Sequence, residues 1–264
     1  NVNVIGTKEI LSFCKRFDAR LAHISTVSVS GNSVGGKFTK PEFTENDFYV
    51  GQNYMENVYV RSKFEAERLV LNGLKDGVEA YIFRIGNLTS RYSDGLFQKN
   101  AEENNFYNVL KSIVNMQKIS DELLEWRIDF TPVDLCSKAV VHLLKNGTGG
   151  QKVFHIYNHK IISLGELIEK LGLFGFHIDT VSAQDYSKLL KNLSKSRDTR
   201  ELLAGIVNNA FMINSSQINE SIVISSRITC EYLKNMGFEW PEIDEVYIQK
   251  VMNYFGKRGI LEYA

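Results

Sequence analysis

The sequence has few cysteines and no excess of either charge. Its 264 residues include only Cys14, Cys136 and Cys230, an odd and widely spaced set that does not suit a disulfide framework. We therefore expect a cytoplasmic protein in a reducing compartment. Lys and Arg together number 31, as do Asp and Glu, and no basic block stands out. This balance lacks the electrostatic footprint of nucleic-acid binding, so we expect no nucleic-acid partner.

Long apolar runs are lacking as well. No stretch approaches the roughly 20 apolar residues that a membrane-spanning helix needs, so we expect no membrane partner. No basic segment followed by an apolar one opens the chain, so we expect no export. There is no internal repeat and no low-complexity tract. What is present, 44% hydrophobic and 23% charged residues, is ordinary for a globular protein and excludes a disordered or fibrous chain.

Helix and strand patterns alternate over the first 90 residues. An amphipathic start is followed by a β-branched strand over 19–29, a polar loop, a helix over 58–75 and a buried strand over 78–85. This alternation is typical of a doubly wound parallel sheet. We therefore predict an α/β fold with a partial, Rossmann-like parallel sheet.

The pattern changes after residue 87. Residues 88–126 are polar with scattered apolar clusters and indicate a separate lobe. Thr131 and Pro132 predict the cap and the first residue of a helix that ends by Gly147. Residues 153–157 predict one more strand of the sheet.

The last third of the chain is predicted to be mostly helical. Ser163 and Glu166 have the spacing of a capping box, which predicts a helix start. Further helical segments are predicted near 183–193, 197–211, 226–236 and 244–257.

The most specific chemical feature is the pair Tyr59 and Lys63. Residues four apart on a helix share one face, with β-carbons about 5–6 Å apart. A phenol holds its proton tightly at neutral pH, and an adjacent ammonium stabilises the phenolate. The same lysine has donors for the hydroxyls of a ribose. The pair therefore favours proton transfer beside a nucleotide cofactor.

Neighbouring strand ends give this pair a context. Hydroxyl residues from Ser25 to Ser28 lie at the end of the first predicted strand, and Gly86 and Asn87 follow the second. The carboxyl ends of parallel strands meet at one edge of an open α/β sheet, where ligands bind. We therefore expect these groups and the Tyr59 helix to converge there.

These residues resemble the extended short-chain dehydrogenase/reductase family. Within it, the chain is similar to the C-terminal thioester reductase domains of nonribosomal peptide synthetases. The likeness covers the first half well and the helical third loosely, and the stretches that carry it are 3–7, 23–29, 57–67, 84–89, 91–95 and 129–134.

The resemblance implies an NADPH-dependent reductase that releases a carrier-protein-bound peptidyl or acyl thioester as an aldehyde or alcohol. NADH is not excluded, and no metal is implied. The carrier protein would present its substrate on phosphopantetheine. The implied catalytic residues are Thr26, Tyr59 and Lys63, and the implied cofactor-binding residues are Ser25, Tyr59, Lys63, Ile85 and Gly86. The implied substrate-binding residues are Ser28 and Asn87.

The resemblance also implies a division of labour along the chain. Residues 1–90, with 127–158 returning to them, would belong to the dinucleotide-binding domain. The helical lobe, 91–126 and 159–264, would recognise substrate and carrier protein.

One element of the family pattern is lacking. The family holds its dinucleotide on a Gly-rich turn after the first strand, and no strand, Gly-rich turn and helix follow one another here. We therefore expect a truncated fragment of a larger reductase domain that binds the cofactor weakly or not at all, and whose activity on its own the sequence leaves open. Micromolar binding of NADPH to these residues would contradict that expectation.

Other interpretations remain open. An epimerase or dehydratase of the same extended family would act on a nucleotide sugar, but such enzymes usually have Pro where Ile85 stands. A non-catalytic docking module is the third alternative. Gly31, Ser33 and Gly35 match the spacing of a hydrolase nucleophile elbow, although no helical pattern follows as that elbow requires. His155 and His159 are four apart on a strand and a turn, which does not favour a shared metal.

Overall fold

The computed structural model describes residues 2–33, 38–101, 104–146, 150–193, 204–207 and 222–258. Within these ranges the helices are α1 (Val2–Phe17), α2 (Val58–Lys75), α3 (Asn105–Met116), α4 (Val133–Asn146), α5 (Leu164–Gly172), α6 (Ala183–Leu193), α7 (Ala204–Val207), α8 (Arg227–Asn235) and α9 (Glu245–Lys257). The longer strands are β1 (Leu21–Thr26), β5 (Ala80–Ile85), β7 (Lys118–Ser120), β10 (Val153–Ile156) and β12 (Asp179–Val181). The two-residue strands are β2 (Asn32–Ser33), β3 (Glu42–Phe43), β4 (Gln52–Asn53), β6 (Leu88–Thr89), β8 (Arg127–Ile128), β9 (Thr131–Pro132), β11 (Ile162–Ser163) and β13 (Val223–Ile224).

A three-stranded parallel sheet confirms the predicted α/β fold. Its order is β1-β5-β10, with both pairs parallel. All six residues of the middle strand β5 are buried. A central parallel strand is covered on both faces, so its sequence, Ala-Tyr-Ile-Phe-Arg-Ile, is largely apolar rather than alternating.

Helix α2 packs against both the sheet and helix α1. Val70 on α2 lies in one apolar cluster with Ala80, Ile82 and Val153 of the sheet. Gly73 lets α1 approach closely, because a β-carbon there would lie 2.9 Å from Leu11 Cδ2. The helix that carries Tyr59 is therefore fixed to the sheet by apolar contacts along its second half.

Two compact units share the chain. The first comprises Asn1–Leu88, Cys136–His159 and Glu220–Trp240, and the second comprises Thr89–Leu135, Lys160–Asn219 and Pro241–Ala264. The structure thus groups 222–240 with the first unit and 127–135 with the second. The resemblance instead implies that 222–240 belong to the helical lobe and 127–135 to the dinucleotide-binding domain.

The second unit has its own core, rich in aromatic residues. Phe130 and Tyr247 pack edge to face, as do Phe106 and Phe130. Helices α3, α5 and α9 supply most of the buried aliphatic side chains, among them Ile113, Leu167 and Val251. Thr89 Oγ1 and Tyr247 Oη share a buried hydrogen bond of 2.8 Å.

Several local predictions are confirmed. Helices α6, α8 and α9 fall where the periodicity predicts them. The capping box also forms, since Glu166 N donates to Ser163 Oγ at 3.1 Å and Ser163 N donates to Glu166 Oε2 at 2.6 Å. Of the helix predicted near 197–211, only 204–207 lie within the described residues, and these are helical.

Two details differ from the sequence prediction. Thr131 and Pro132 form strand β9 rather than a helix cap, and helix α4 begins at Val133. Helix α3 lies in the stretch 88–126, which is predicted above only as a polar lobe with scattered apolar clusters; its apolar residues in fact recur at helical spacing. Across the described ranges, no helix is long and apolar enough to cross a membrane.

Candidate active site

The predicted site residues begin at the carboxyl edge of the sheet. Thr26 is the last residue of β1 and Ile85 the last of β5, and the register pairs them directly. Ile156 of β10 pairs with Ile85 on the other side. Gly86 N donates to Ile156 O at 3.1 Å, which continues the ladder one residue beyond the strand. This is the edge at which open α/β sheets bind ligands.

The Thr26 hydroxyl is held by the turn that follows it. Thr26 caps a 3-10 turn, Val27–Ser30, and its Oγ1 accepts from Ser28 N at 3.2 Å. The same hydroxyl donates to Ser28 Oγ at 3.1 Å. Thr26 is only 8% exposed, whereas Ser28 is exposed. The structure therefore brings these two predicted hydroxyl residues into direct contact.

Tyr59 lies in the first turn of α2. Asn57 caps this helix, because its Oδ1 accepts from Tyr59 N at 2.9 Å and Val60 N at 3.1 Å. The Tyr59 side chain is 52% exposed. In the part of the chain that the structure describes, no side chain hydrogen-bonds its phenol, so the hydroxyl is open to a ligand.

Lys63 fixes the same face of α2 to the sheet. Its Nζ donates to Ile24 O at 3.0 Å, two residues before Thr26. An ammonium has three donors, so two remain for other acceptors. Burial lowers the pKa of Lys63 below its ordinary value. The carbonyl contact thus places a partly desolvated amine beside the end of β1.

His23 lies in strand β1 near Lys63 and is uncharged there. Burial lowers the pKa of His23, and the nearby Lys63 lowers it further, against an opposing effect of Glu67. Its buried Nε2 has no hydrogen-bond partner among the described residues. His23 is therefore a packed, neutral residue of the strand at neutral pH.

A row of buried polar residues crosses the sheet one position before the strand ends. Ser25 of β1 and His155 of β10 both pair with Arg84 of β5. Glu67 of α2 joins this row: Ser25 Oγ donates to its Oε2 at 2.8 Å, and Arg84 Nε donates to its Oε1 at 3.0 Å. The helix position of Glu67 predicts a solvated or ion-paired charge. The structure confirms the ion pair, with Arg84, and buries Glu67 completely.

The contact with Glu67 bears on the role predicted for Ser25. The resemblance implies that Ser25 binds cofactor, but its buried hydroxyl is occupied by Glu67. Its position one residue before Thr26 was visible in the sequence, and its partner was not. One feature of the sequence could have predicted this row. Each of the three strands has a polar residue, Ser25, Arg84 or His155, one position before its end.

The remaining predicted site residues lie at the same edge of the first unit. Ile85 is buried at the strand end, Gly86 is half-buried, and Asn87 is exposed. Thr26 and Ile85 end two paired strands, and Gly86 and Asn87 directly follow Ile85. Their individual roles toward cofactor or substrate stay predictions.

Within the described residues, the other motifs give no shared site. Ser33 lies in β2, which pairs antiparallel with β4, and Gly35 lies outside the described residues. His155 Nδ1 contacts Ser225 O at 2.7 Å, while His159 Nδ1 contacts Cys230 Sγ at 3.3 Å. The two histidines thus have different partners.

The donor set fits one end of a nicotinamide dinucleotide. Lys63 offers two free donors, Tyr59 an open phenol, and Gly86 a backbone without a β-carbon at the strand end. These are the groups that a ribose and a flat ring can approach. No Gly-rich turn between a strand and a helix N-terminus, the usual cradle of a pyrophosphate, occurs within the described ranges.

A sequence model of an NAD-binding family, NAD_binding_4, described as "Male sterility protein", matches residues 1–140. One component of the linear gramicidin synthase of Brevibacillus parabrevis is 25% identical over 260 residues, which is 98% of this chain. Glycine betaine reductase ATRR of Emericella nidulans is 30% identical over 187 residues, or 71% of this chain.

A solved structure resembles almost the whole chain. The thiolation-reductase di-domain of an archaeal nonribosomal peptide synthetase has a TM-score of 0.83 and 29% identity over 97% of this chain. The predicted resemblance to reductase domains of peptide synthetases is therefore confirmed. The chain spans 53% of that solved chain, and 5% and 14% of the two curated relatives.

Proposed function

Because the chain belongs to the NAD-binding family described as male sterility proteins, we propose that it serves the NADPH-dependent reduction of a thioester carried by a carrier protein. The product is an aldehyde, or an alcohol after a second reduction. One observation carries the proposal: the helix face that bears Lys63 is hydrogen-bonded to β1 two residues before Thr26.

The relatives support the substrate class. One curated relative is named a glycine betaine reductase, and one solved relative joins a thiolation domain to a reductase. A thiolation domain carries its acyl group as a thioester on phosphopantetheine. We therefore assign a carrier protein as the partner, with residues of the second unit, including 91–126 and 160–219, recognising the acyl chain and the carrier.

Thr26 and Tyr59 are assigned to the reacting carbonyl. The Tyr59 hydroxyl, and the Thr26 hydroxyl once it turns from Ser28 Oγ, would donate to the carbonyl oxygen as it gains negative charge. Such stabilisation is the largest single contribution in many reactions of this kind. Because Tyr59 is half-exposed and its phenol is open, substrate can reach it directly. Tyr59 then gives its proton to that oxygen as a general acid.

Lys63 is assigned two tasks. It stabilises the phenolate that Tyr59 leaves behind, and its two free donors hold the hydroxyls of the nicotinamide ribose. When bound, the cofactor supplies a hydride. Ile85 and Gly86 would border its nicotinamide ring, and Ser28 and Asn87, both exposed, would contact the substrate.

The products follow from the balance of the step. Hydride adds to the carbonyl carbon and the Tyr59 proton to its oxygen, which gives a hemithioacetal. Its carbon–sulfur bond then breaks, the hydroxyl proton leaves, and the phosphopantetheine sulfur departs as a thiol. An aldehyde remains, and a second hydride and proton convert it to an alcohol.

The test is an assay of the intact gene product that contains these residues. NADPH consumption is measured with an acyl-pantetheine thioester, and aldehyde and free thiol are quantified. Tyr59→Phe is expected to lower the rate about 10²–10⁴-fold, since it removes the acid and keeps the ring. Tyr49→Phe is the control, because Tyr49 is an exposed tyrosine of the preceding loop.

The proposal fails if the wild type consumes no NADPH with thioesters, or if Tyr59→Phe retains the wild-type rate. Conversion of a UDP-sugar under the same conditions would favour the epimerase or dehydratase alternative instead. Parallel assays with NADPH and NADH decide between the two cofactors.

A further inference from the structure

The buried polar row beneath the site joins helix α2 to all three strands of the sheet. Its members are Ser25, Arg84 and His155 on the strands and Glu67 on the helix. Glu67 and His155 are 0% exposed and Arg84 is 1% exposed. Such an ion pair in a sheet interior is costly unless every donor and acceptor is satisfied.

The row satisfies that condition around Arg84. Its five N–H groups meet five acceptor contacts: Nε and Nη2 donate to Glu67 Oε1, Nη2 to Asp47 O at 2.7 Å, and Nη1 to Thr44 O at 3.4 Å and His155 Nε2 at 3.0 Å. Since Nε2 of His155 accepts, its Nδ1 carries the proton that is donated to Ser225 O at 2.7 Å. The network thus has one consistent arrangement of protons.

The helix end of this network lies on the face that the reaction uses. Glu67 follows Lys63 by one turn, and Lys63 follows Tyr59 by one turn. Lys63 Nζ binds Ile24 O at 3.0 Å, and Glu67 Oε2 accepts from Ser25 Oγ at 2.8 Å. Two successive turns of α2 therefore bind two successive residues of β1, immediately before Thr26.

These contacts determine how α2 can sit on β1. Sliding the helix by one residue, or rotating it, would break both contacts and separate Glu67 from Arg84. Arg84 itself cannot follow, because backbone carbonyls of Thr44 and Asp47 and the ring of Phe43, 4.7 Å from its guanidinium carbon, hold it. The buried ion pair is thus a fixed reference point for the helix.

We propose that Glu67 is a positioning residue of the reaction: its bonds to Ser25 and Arg84 hold Tyr59 and Lys63 in the register that faces Thr26. The inference rests on the proposed function. Misplacing reacting groups by about 1 Å can lower a rate about 10²-fold, so a small loss of register is measurable.

The first experiment separates turnover from binding in the intact gene product. Glu67→Gln removes the charge that Arg84 requires, and Ser25→Ala removes one hydrogen bond and leaves the ion pair intact. We expect kcat to fall at least 10-fold in Glu67→Gln and about 5-fold in Ser25→Ala, with KM for the thioester within 2-fold of wild type. KM for NADPH should rise, because a displaced Lys63 also loses its hold on the nicotinamide ribose.

Matched controls use the same chemical changes elsewhere. Glu65→Gln alters a carboxylate two residues away on α2, which pairs with Arg68, and Ser12→Ala alters an exposed hydroxyl of α1. Both should keep kcat within 2-fold. If Ser25→Ala and Glu67→Gln also keep kcat within 2-fold, or change only the KM for the thioester, the positioning role is wrong.

The second experiment does not depend on activity. Amide hydrogen exchange over residues 58–67 is compared by mass spectrometry in wild type, Ser25→Ala and Ser12→Ala. We expect about 10-fold faster exchange in Ser25→Ala alone, with 164–172 of the second unit unchanged. Unchanged exchange over 58–67 in Ser25→Ala would overturn the proposal. This result decides the question even if the Glu67→Gln protein fails to fold.

The two experiments also separate this inference from the function. A wild type without thioester reduction contradicts the proposed function, and the exchange result alone then decides whether Glu67 and Ser25 hold α2 in register. A wild type that reduces thioesters, with Ser25→Ala unaffected in both experiments, contradicts the positioning role and leaves the function standing.

Discussion

At the scale of single residues, burial and a neighbouring positive charge determine the protonation state of His155. Burial, reinforced by the positive charge of Arg84, lowers the pKa of His155 from 6.5 to about 3. The geometry agrees, because Arg84 donates to His155 Nε2 and a protonated ring could not accept that bond. His155 is therefore neutral in the folded protein at neutral pH.

This lowered pKa predicts an acid dependence of stability. Because the folded pKa lies below the unfolded value, the contribution of His155 is complete above pH 6.5 and is lost as the pH falls toward 3. Each pH unit is worth about 1.4 kcal/mol, so His155 accounts for about 2 kcal/mol between about pH 6.5 and 5.

The contribution of His155 to stability can be measured by urea unfolding of wild type and His155→Gln at about pH 5, 6 and 7. The difference in free energy of unfolding between the two proteins should shrink by about 2 kcal/mol toward the acid end. His177→Gln, at an exposed position of the second unit, serves as the control and should follow the wild type. A constant difference between wild type and His155→Gln across the pH range would contradict the assignment.

At the scale of elements, the start of helix α2 determines where Tyr59 stands. Asn57 satisfies two backbone donors that a helix N-terminus leaves without partners, those of Tyr59 and Val60. The second half of the helix is held by apolar packing with the sheet. The first turn depends mainly on the cap, on Ser62 and on the Lys63 contact. Ser62 Oγ donates to Tyr59 O at 2.8 Å and accepts from Asn3 Nδ2 of α1 at 2.9 Å.

Replacing Asn57 should destabilise the protein unless the new side chain can still accept hydrogen bonds from Tyr59 N and Val60 N. Asn57→Ala is expected to lower the free energy of unfolding by about 1 kcal/mol, and Asn57→Asp to keep it close to wild type because its carboxylate also accepts. Chemical denaturation of the three proteins measures the effect. Equal stability of Asn57→Ala and wild type would show that the first turn does not need its cap.

At the scale of the whole molecule, neither unit is a continuous piece of chain. The first unit takes its outer strand β10 from 153–156 and one of its short strands, β13, from 223–224. Glu45, in the first segment of that unit, accepts from Thr229 N and Oγ1 at 2.8 Å each. The unit is thus completed only when distant segments return to it.

A fragment of residues 1–90 should therefore not fold alone. It lacks β10, so one edge of the apolar strand β5 is bare, and Arg84 loses His155 while its charge stays buried. We expect no cooperative thermal transition of the fragment by circular dichroism, and we expect one for the 264-residue chain. A cooperative transition in the fragment would contradict this dependence on the returning segments.

Local patterns in the sequence determined much of the fold and part of the site. Helical periodicity, β-branched runs and capping residues act between neighbours, so α2, β1, β5 and the Ser163 cap were predictable. So was the spacing of Tyr59 and Lys63, which a single helix enforces. Strand β9 was not, because its pairing with β6 overrides the local signal for a helix cap there. Helix α3 was missed although its apolar residues recur at helical spacing and Asn104 caps it.

The tertiary structure alone decided the environment of the site. Glu67 looks like any helix-surface charge in the sequence, yet its partners Arg84 and Ser25 are 17 and 42 residues away, and His155 is 71 residues from Arg84. Such groups meet only when parallel strands align in register and a helix lies across them. Sequence spacing fixes which side chains share one helix turn, whereas strand pairing fixes which distant charges are buried together.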